Sequence, residues 1–170
     1  MGLLIAFAGL PGAGKSAIAQ ELALRTGAFW LRLDSIEQAI ADAGVVPGDM
    51  LDAGYRAAQA VAIDNLRLGR DVVADCVNDW KIARDGWQAA ALRAGVPILW
   101  VEVVCSDADE HRRRVETRAV NVPGLKPPAW AVVVGREYHD WDRDRLVVDT
   151  AGASLEQSVE LVLAALRSAI

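Results

Sequence analysis

Residues 9–16 read Gly-Leu-Pro-Gly-Ala-Gly-Lys-Ser, a complete G-x-x-x-x-G-K-[ST] loop. The loop follows the apolar run from Leu3 to Ala8 and opens a helical pattern from Ser16 to about Leu24. A strand must therefore turn sharply into a helix, and that turn leaves backbone N–H groups facing inward as an anion nest. The dipole of the helix that follows points its positive end at the same place. Lys15 would reach the β- and γ-phosphates of a nucleotide, and the Ser16 hydroxyl would ligate Mg²⁺. The candidate nucleotide site is thus Gly9, Pro11, Gly12, Ala13, Gly14, Lys15, Ser16 and Ala17, with ATP and Mg²⁺ as the expected ligands.

The chain of 170 residues is long enough for one domain with a substantial core, read here as residues 1–170. A net charge of −5 gives no general electrostatic pull toward nucleic acid, so a small-molecule partner is favoured over a polynucleotide. Cys76 and Cys105 both lie in apolar, strand-like runs and read as buried thiols of a reducing cytosol. Neither their spacing nor His111 and His139 suggests a metal site. The first apolar stretch has only about six residues, with no basic flank or cleavage site, so it reads as neither a signal peptide nor a membrane span. The expected location is cytoplasmic, with no membrane partner.

Strand-like and helical patterns alternate along the rest of the chain. Strands are expected at 28–33, 71–75, 97–104 and 146–149, after the first at 3–8. Helices are expected at 35–43, 52–68, 82–93, 107–118, 129–139 and 155–168, the last capped by Ser154. Five strands separated by helical crossovers predict a parallel sheet covered on both faces, an α/β fold of three layers, α/β/α. Ligands of such sheets bind beyond the carboxyl ends of the strands. The polar residues placed there are the phosphate loop, Asp34, Asp75 with Asn78, Ser106 with Asp107, and Asp149 with Thr150. That concentration of carboxylates suits a site handling Mg²⁺ and phosphoryl groups.

Asp34 would face the phosphate loop from the acceptor side, where a base must take a proton from an attacking hydroxyl. The competing role for Asp34 is to cap the helix beginning at Ser35. Asp75 ends an apolar strand, the usual place for a carboxylate that holds Mg²⁺ through water; it could equally be a plain polar strand end. Asn78 could orient an acceptor or cap the next helix. Residues 110–118 carry four arginines and lead into a Pro/Gly stretch, so 107–128 reads as an Arg-rich helical lid. Arg114 and Arg118, four residues apart on one helical face, are the candidates for the transferring phosphate. Of six tryptophans, Trp30, Trp87 and Trp100 read as packing, whereas Trp80, Trp130 and Trp141 lie near the expected crevice or lid.

Taken together, the phosphate loop, Asp34, the Asp75-Cys76-Val77-Asn78 stretch, the arginine segment and Asp149-Thr150 resemble the small P-loop kinases. The resemblance is to the AAA-33 type predicted-kinase branch, similar to the 5′-kinase domain of polynucleotide kinase, chloramphenicol phosphotransferase, the zeta toxins and gluconate kinase. It spans essentially the whole chain and implies a sheet order of 2-3-1-4-5. It also implies Asp34 as general base, Arg114 or Arg118 as lid arginine, and adenine held between the lid and Asp149-Thr150-Ala151. One departure stands out. Polynucleotide kinases carry an arginine shortly after the base aspartate, and here Glu37 stands at about that place. The expected activity is therefore transfer of the γ-phosphate of MgATP to a hydroxyl of an uncharged or cationic small molecule, such as a sugar, nucleoside or antibiotic. The alternatives are a polynucleotide or tRNA 5′-hydroxyl kinase and a nucleotide-dependent regulatory ATPase.

Overall fold

The computed structural model describes residues 2–44, 52–119 and 121–169. The strands are β1 (Leu4–Ala8), β2 (Phe29–Arg32), β3 (Val72–Asp75), β4 (Ile98–Val104) and β5 (Leu146–Asp149). They form one five-stranded sheet in the order β2-β3-β1-β4-β5, with every neighbouring pair parallel. The helices are α1 (Lys15–Thr26), α2 (Leu33–Asp42), α3 (Ala53–Arg67), α4 (Lys81–Ala94), α5 (Ala108–Thr117), α6 (Trp130–Val134) and α7 (Leu155–Ala169).

All five residues of β1 are buried, because the strand is central and covered on both faces. Its side chains alternate between two cores. Leu4 and Ala6 point to one side, with Ala58, Ala62 and Leu66 of α3 and Trp87, Ala90 and Ala91 of α4. Ile5 and Phe7 point to the other, with Ile18, Ala19 and Leu22 of α1 and Val159, Val162 and Leu166 of α7. The expected three-layer α/β/α fold and its strand order are thus present.

The parallel register aligns Phe7 with Asp75 and Ala8 with Glu102, so the loops after β1, β3 and β4 leave the sheet at the same edge. Ser154 caps α7 as expected: its Oγ accepts from Gln157 N at 3.2 Å and Gln157 Oε1 accepts from Ser154 N at 2.9 Å, a capping box.

Several boundaries differ from the sequence reading. The expected helix 129–139 is the single short turn α6, closed at Gly135, and the chain then leaves to dock Arg136 on Asp79. The break at 44–48 lies largely outside the described residues. Of the two thiols, Cys76 is buried, but Cys105, just past β4, is half-exposed. Among the described residues, no helix is long and apolar enough to cross a membrane.

Candidate active site

The loop between β1 and α1 owes its shape to glycine. Gly9 sits at φ +134°, and a Cβ there would stand 2.1 Å from the Val103 carbonyl oxygen of β4. Its amide donates to the Val77 carbonyl at 2.9 Å, which ties the loop to the strand end of β3. Gly14, in the left-handed region, starts α1. Lys15 follows, buried, with its ammonium folded back to donate to the Leu10 carbonyl at 3.0 Å.

Burial pushes the Lys15 ammonium below its ordinary pKa, and Arg118 pushes the same way, while Asp75 and Asp34 pull it up. Burial also lifts the Asp75 carboxyl above the usual carboxylate range, against the charge of Lys15 and the neighbouring Ser16 hydroxyl. Asp75 Oδ2 is buried with no hydrogen-bond partner among the described residues. Two cations and two anions therefore meet beside the loop: Lys15, Arg118, Asp75 and Asp34.

These four and Ser16 open onto a cleft of about 1110 Å³ bounded by α2, α3, α4 along most of its length and segments of 118–137. Asp34 lies in the first turn of α2, with Arg32 at the cap position, so it is not the cap that the sequence allowed. Its carboxylate is 4.0 Å from Arg32, which also donates to Asn121 at 2.7 Å. One turn on, Glu37 lines the same cleft over Gly54, where a Cβ would stand 2.4 Å from Glu37 Cγ. Burial first, then the charge of Asp34, lifts the Glu37 carboxyl, and Arg136 opposes them. On the far wall, Arg136 pairs with Asp79 at 2.9 Å, and Trp80 stacks on His139 with ring centroids 5.7 Å apart.

The two candidate arginines separate. The helix ends at Thr117, and Arg118 turns to extended backbone (φ −62°, ψ 135°) as the chain heads for the Pro/Gly stretch. Arg118 therefore does not share a helical face with Arg114. It lines the cleft, and its Nε is buried without a partner among the described residues. Arg114 lies on the other side of the loop, donating to Thr150 Oγ1 at 2.7 Å and to Thr150 O at 2.9 Å, and pairing with Glu110.

The remaining sequence candidates also sort themselves. Asp149 uses its carboxylate to accept from Ser106 N and Ala151 N, both at 3.0 Å, which joins the loops after β4 and β5. Thr150 is buried with its hydroxyl on the Ala13 carbonyl at 2.8 Å. Asp107 caps α5 by accepting from Glu110 N. Asn78 neither faces an acceptor nor caps α4: it is fully buried at φ +49°, donating from Nδ2 to the Phe7 carbonyl at 2.7 Å. Of the three tryptophans placed near the crevice, Trp80 lines it, Trp130 packs edge-on against His111, and Trp141 bonds Glu102. Sequence reasoning missed Tyr55, Asp79 and Arg136, which line the cleft, and the contact of His111 Nε2 with the Pro11 carbonyl of the loop, because each depends on chain segments far apart in sequence.

Similarity to known proteins agrees with this geometry. Residues 4–126 match the AAA_33 family, described as an AAA domain. No curated protein matches. Among solved structures, a sugar kinase from Janibacter sp. HTCC2649 superposes with a TM-score of 0.71 at 16% identity, covering 98% of this chain and 95% of that one. The APS kinase of Mycobacterium tuberculosis, in complex with AMPPNP and APS, gives 0.69 at 19% identity, with 98% of each chain covered. Chaetomium thermophilum Kti12, in complex with ADP-AlF3, gives 0.68 at 20% identity, with 95% and 97% covered. A phosphate loop in its strand–helix setting, a sheet ordered 2-3-1-4-5 and a family match over most of the chain lead to one conclusion: this protein belongs to the AAA_33 family of P-loop kinase-like domains.

Proposed function

We propose that this protein is an ATP-dependent phosphotransferase that passes the γ-phosphate of MgATP to a hydroxyl of a small acceptor. The observation that carries this reading is the meeting of Lys15, Asp34, Asp75 and Arg118 where the phosphate loop opens onto the 1110 Å³ cleft. The loop amides and Lys15 hold the phosphates from one side, and the acceptor enters from the cleft. Asp34 takes the proton of the attacking hydroxyl as the new O–P bond forms and the bond to ADP breaks. Lys15 and Arg118 offset the charge spread over the phosphoryl oxygens. Residues 107–128 serve as the lid, with Arg114 and Thr150 on its nucleotide side and the adenine placed against 149–151.

Ser16 and the unpartnered, buried Oδ2 of Asp75 are a fit for Mg²⁺, with water and phosphate oxygens completing its shell. The ion, when bound, would neutralise phosphate charge and orient the leaving group.

Glu37 supports an uncharged or cationic acceptor, since its carboxylate stands on the same face of α2 as Asp34 and would repel a phosphodiester. A polynucleotide 5′-hydroxyl is the second reading. It is favoured by Arg93 and Lys126 on the cleft wall, neither of which has an acidic partner among the described residues.

The deciding experiment is Mg²⁺-dependent ADP release from ATP across sugars, nucleosides, amino alcohols and 5′-hydroxyl oligonucleotides. Stimulation by one small-molecule class bears the reading out and names the acceptor. Stimulation by oligonucleotides alone moves the function to nucleic-acid ends. Slow turnover that no acceptor raises and that Asp34→Asn leaves unchanged favours a regulatory ATPase.

A further inference from the structure

The phosphate loop is tied down from outside at two carbonyls, each by a residue at least a hundred positions away. His111 Nε2 lies 2.8 Å from the Pro11 carbonyl oxygen in a buried contact. A ring nitrogen facing a carbonyl must carry the proton and donate. Thr150 Oγ1 donates to the Ala13 carbonyl at 2.8 Å while accepting from Arg114 at 2.7 Å.

A trans peptide is planar, with its C=O and N–H directed oppositely. No peptide bond among the described residues is cis. The Pro11 carbonyl shares its peptide with Gly12 N–H, and the Ala13 carbonyl shares its peptide with Gly14 N–H. Holding both carbonyls outward therefore aims both amides toward the opposite, concave side of the loop. Among the described residues, neither amide donates to any group within the protein.

His111 is itself well fixed. It is 7% exposed, and the Trp130 ring meets it edge-on at 5.1 Å. Gly12 lets α5 come this close, because a Cβ there would stand 2.5 Å from Val115 Cγ2 and 3.3 Å from His111 Cδ2.

We propose that His111 and Thr150 are positioning residues of the nucleotide site, fixing two loop peptides so that the phosphate cradle exists before a nucleotide arrives. The proposal rests on the nucleotide reading above. Setting the amides in advance removes part of the ordering cost of binding, and the gain is confined to the phosphates that the cradle touches.

The test is calorimetric binding of ADP and of AMP, which lacks the β-phosphate. His111→Phe keeps the ring against Trp130 and removes the donor; Thr150→Val removes the second tie. Each should weaken ADP about tenfold, the scale of a lost buried hydrogen bond, and His111→Phe should leave AMP within about twofold. His111→Gln and Thr150→Ser, which return a donor, should recover most of the loss. Should one variant fail to fold, the other pair decides. ADP and AMP weakened equally by His111→Phe, or ADP unchanged in both variants, overturns the positioning role. A wild type that does not bind ADP more tightly than AMP overturns the nucleotide reading beneath it.

Discussion

Glu37 shows how a single side chain can be read for both stability and specificity. Burial and the charge of Asp34 raise its carboxyl, so it holds a proton more tightly folded than unfolded. Such a group weakens the fold once pH exceeds its unfolded value near 4.3, and costs nothing below that value. Glu37→Gln keeps the shape over Gly54 and removes the charge. The variant should melt about 1 °C above wild type at pH 7.5, the rise being small because the side chain is only half-buried. The gap should close as pH falls toward about 4. A gap that widens on acidification, in melts followed by circular dichroism, would contradict this assignment. The same substitution should widen the acceptor range toward anionic molecules.

At the scale of elements, the phosphate loop is held between strands as tightly as it is shaped within itself. Gly9 faces the Val103 carbonyl with no room for a methyl group and at a φ that other residues rarely adopt. Gly9→Ala should cost about 3–5 kcal/mol in urea unfolding, and a loss below about 1 kcal/mol would show that β4 gives way instead. Elements of this kind are legible from sequence because their signals are local. The loop motif, the apolar runs of β1 and β4, the capping box of α7 and the mouth positions of Asp34 and Asp75 all follow from neighbours in the chain. The end of α5 is less so: nothing local to Arg118 announces that it leaves the helix one residue before the predicted end. The contacts of His111 with Pro11, of Thr150 with Ala13 and of Arg136 with Asp79 leave no periodic trace. They join residues 57 to 137 positions apart, and their pairing is decided by how the layers pack.

Across the whole molecule, the stretch from Gly135 to β5 is clasped to the sheet by a polar cluster built on the buried Arg84 and Glu102. Arg84 of α4 is fully buried, stacks over Trp141 at 4.5 Å and donates to the His139 carbonyl at 2.8 Å. Trp141 in turn donates to Glu102 of β4 at 2.7 Å, and Arg145 pairs with the same carboxylate. This clasp fixes the segment that carries Arg136 and Glu137 into the cleft wall. Arg84 Nε and Nη1 are buried without partners among the described residues, so the charge itself is poorly compensated. Arg84→Ala should therefore destabilise by about 3 kcal/mol through lost packing, whereas Arg84→Met, which keeps much of the volume, should cost clearly less. Equal losses in chemical denaturation would show that the charge, rather than the packing, holds the segment.

In the proposed reaction Asp34 acts on the acceptor and not on the nucleotide. The decisive measurement is AMPPNP affinity together with acceptor-stimulated ADP release for Asp34→Asn beside wild type. AMPPNP affinity should stay within about twofold of wild type while stimulated turnover falls by about 10²–10⁴-fold, the range for loss of a general base. Turnover that survives the substitution, or affinity that falls in step with it, would remove Asp34 from the role of base.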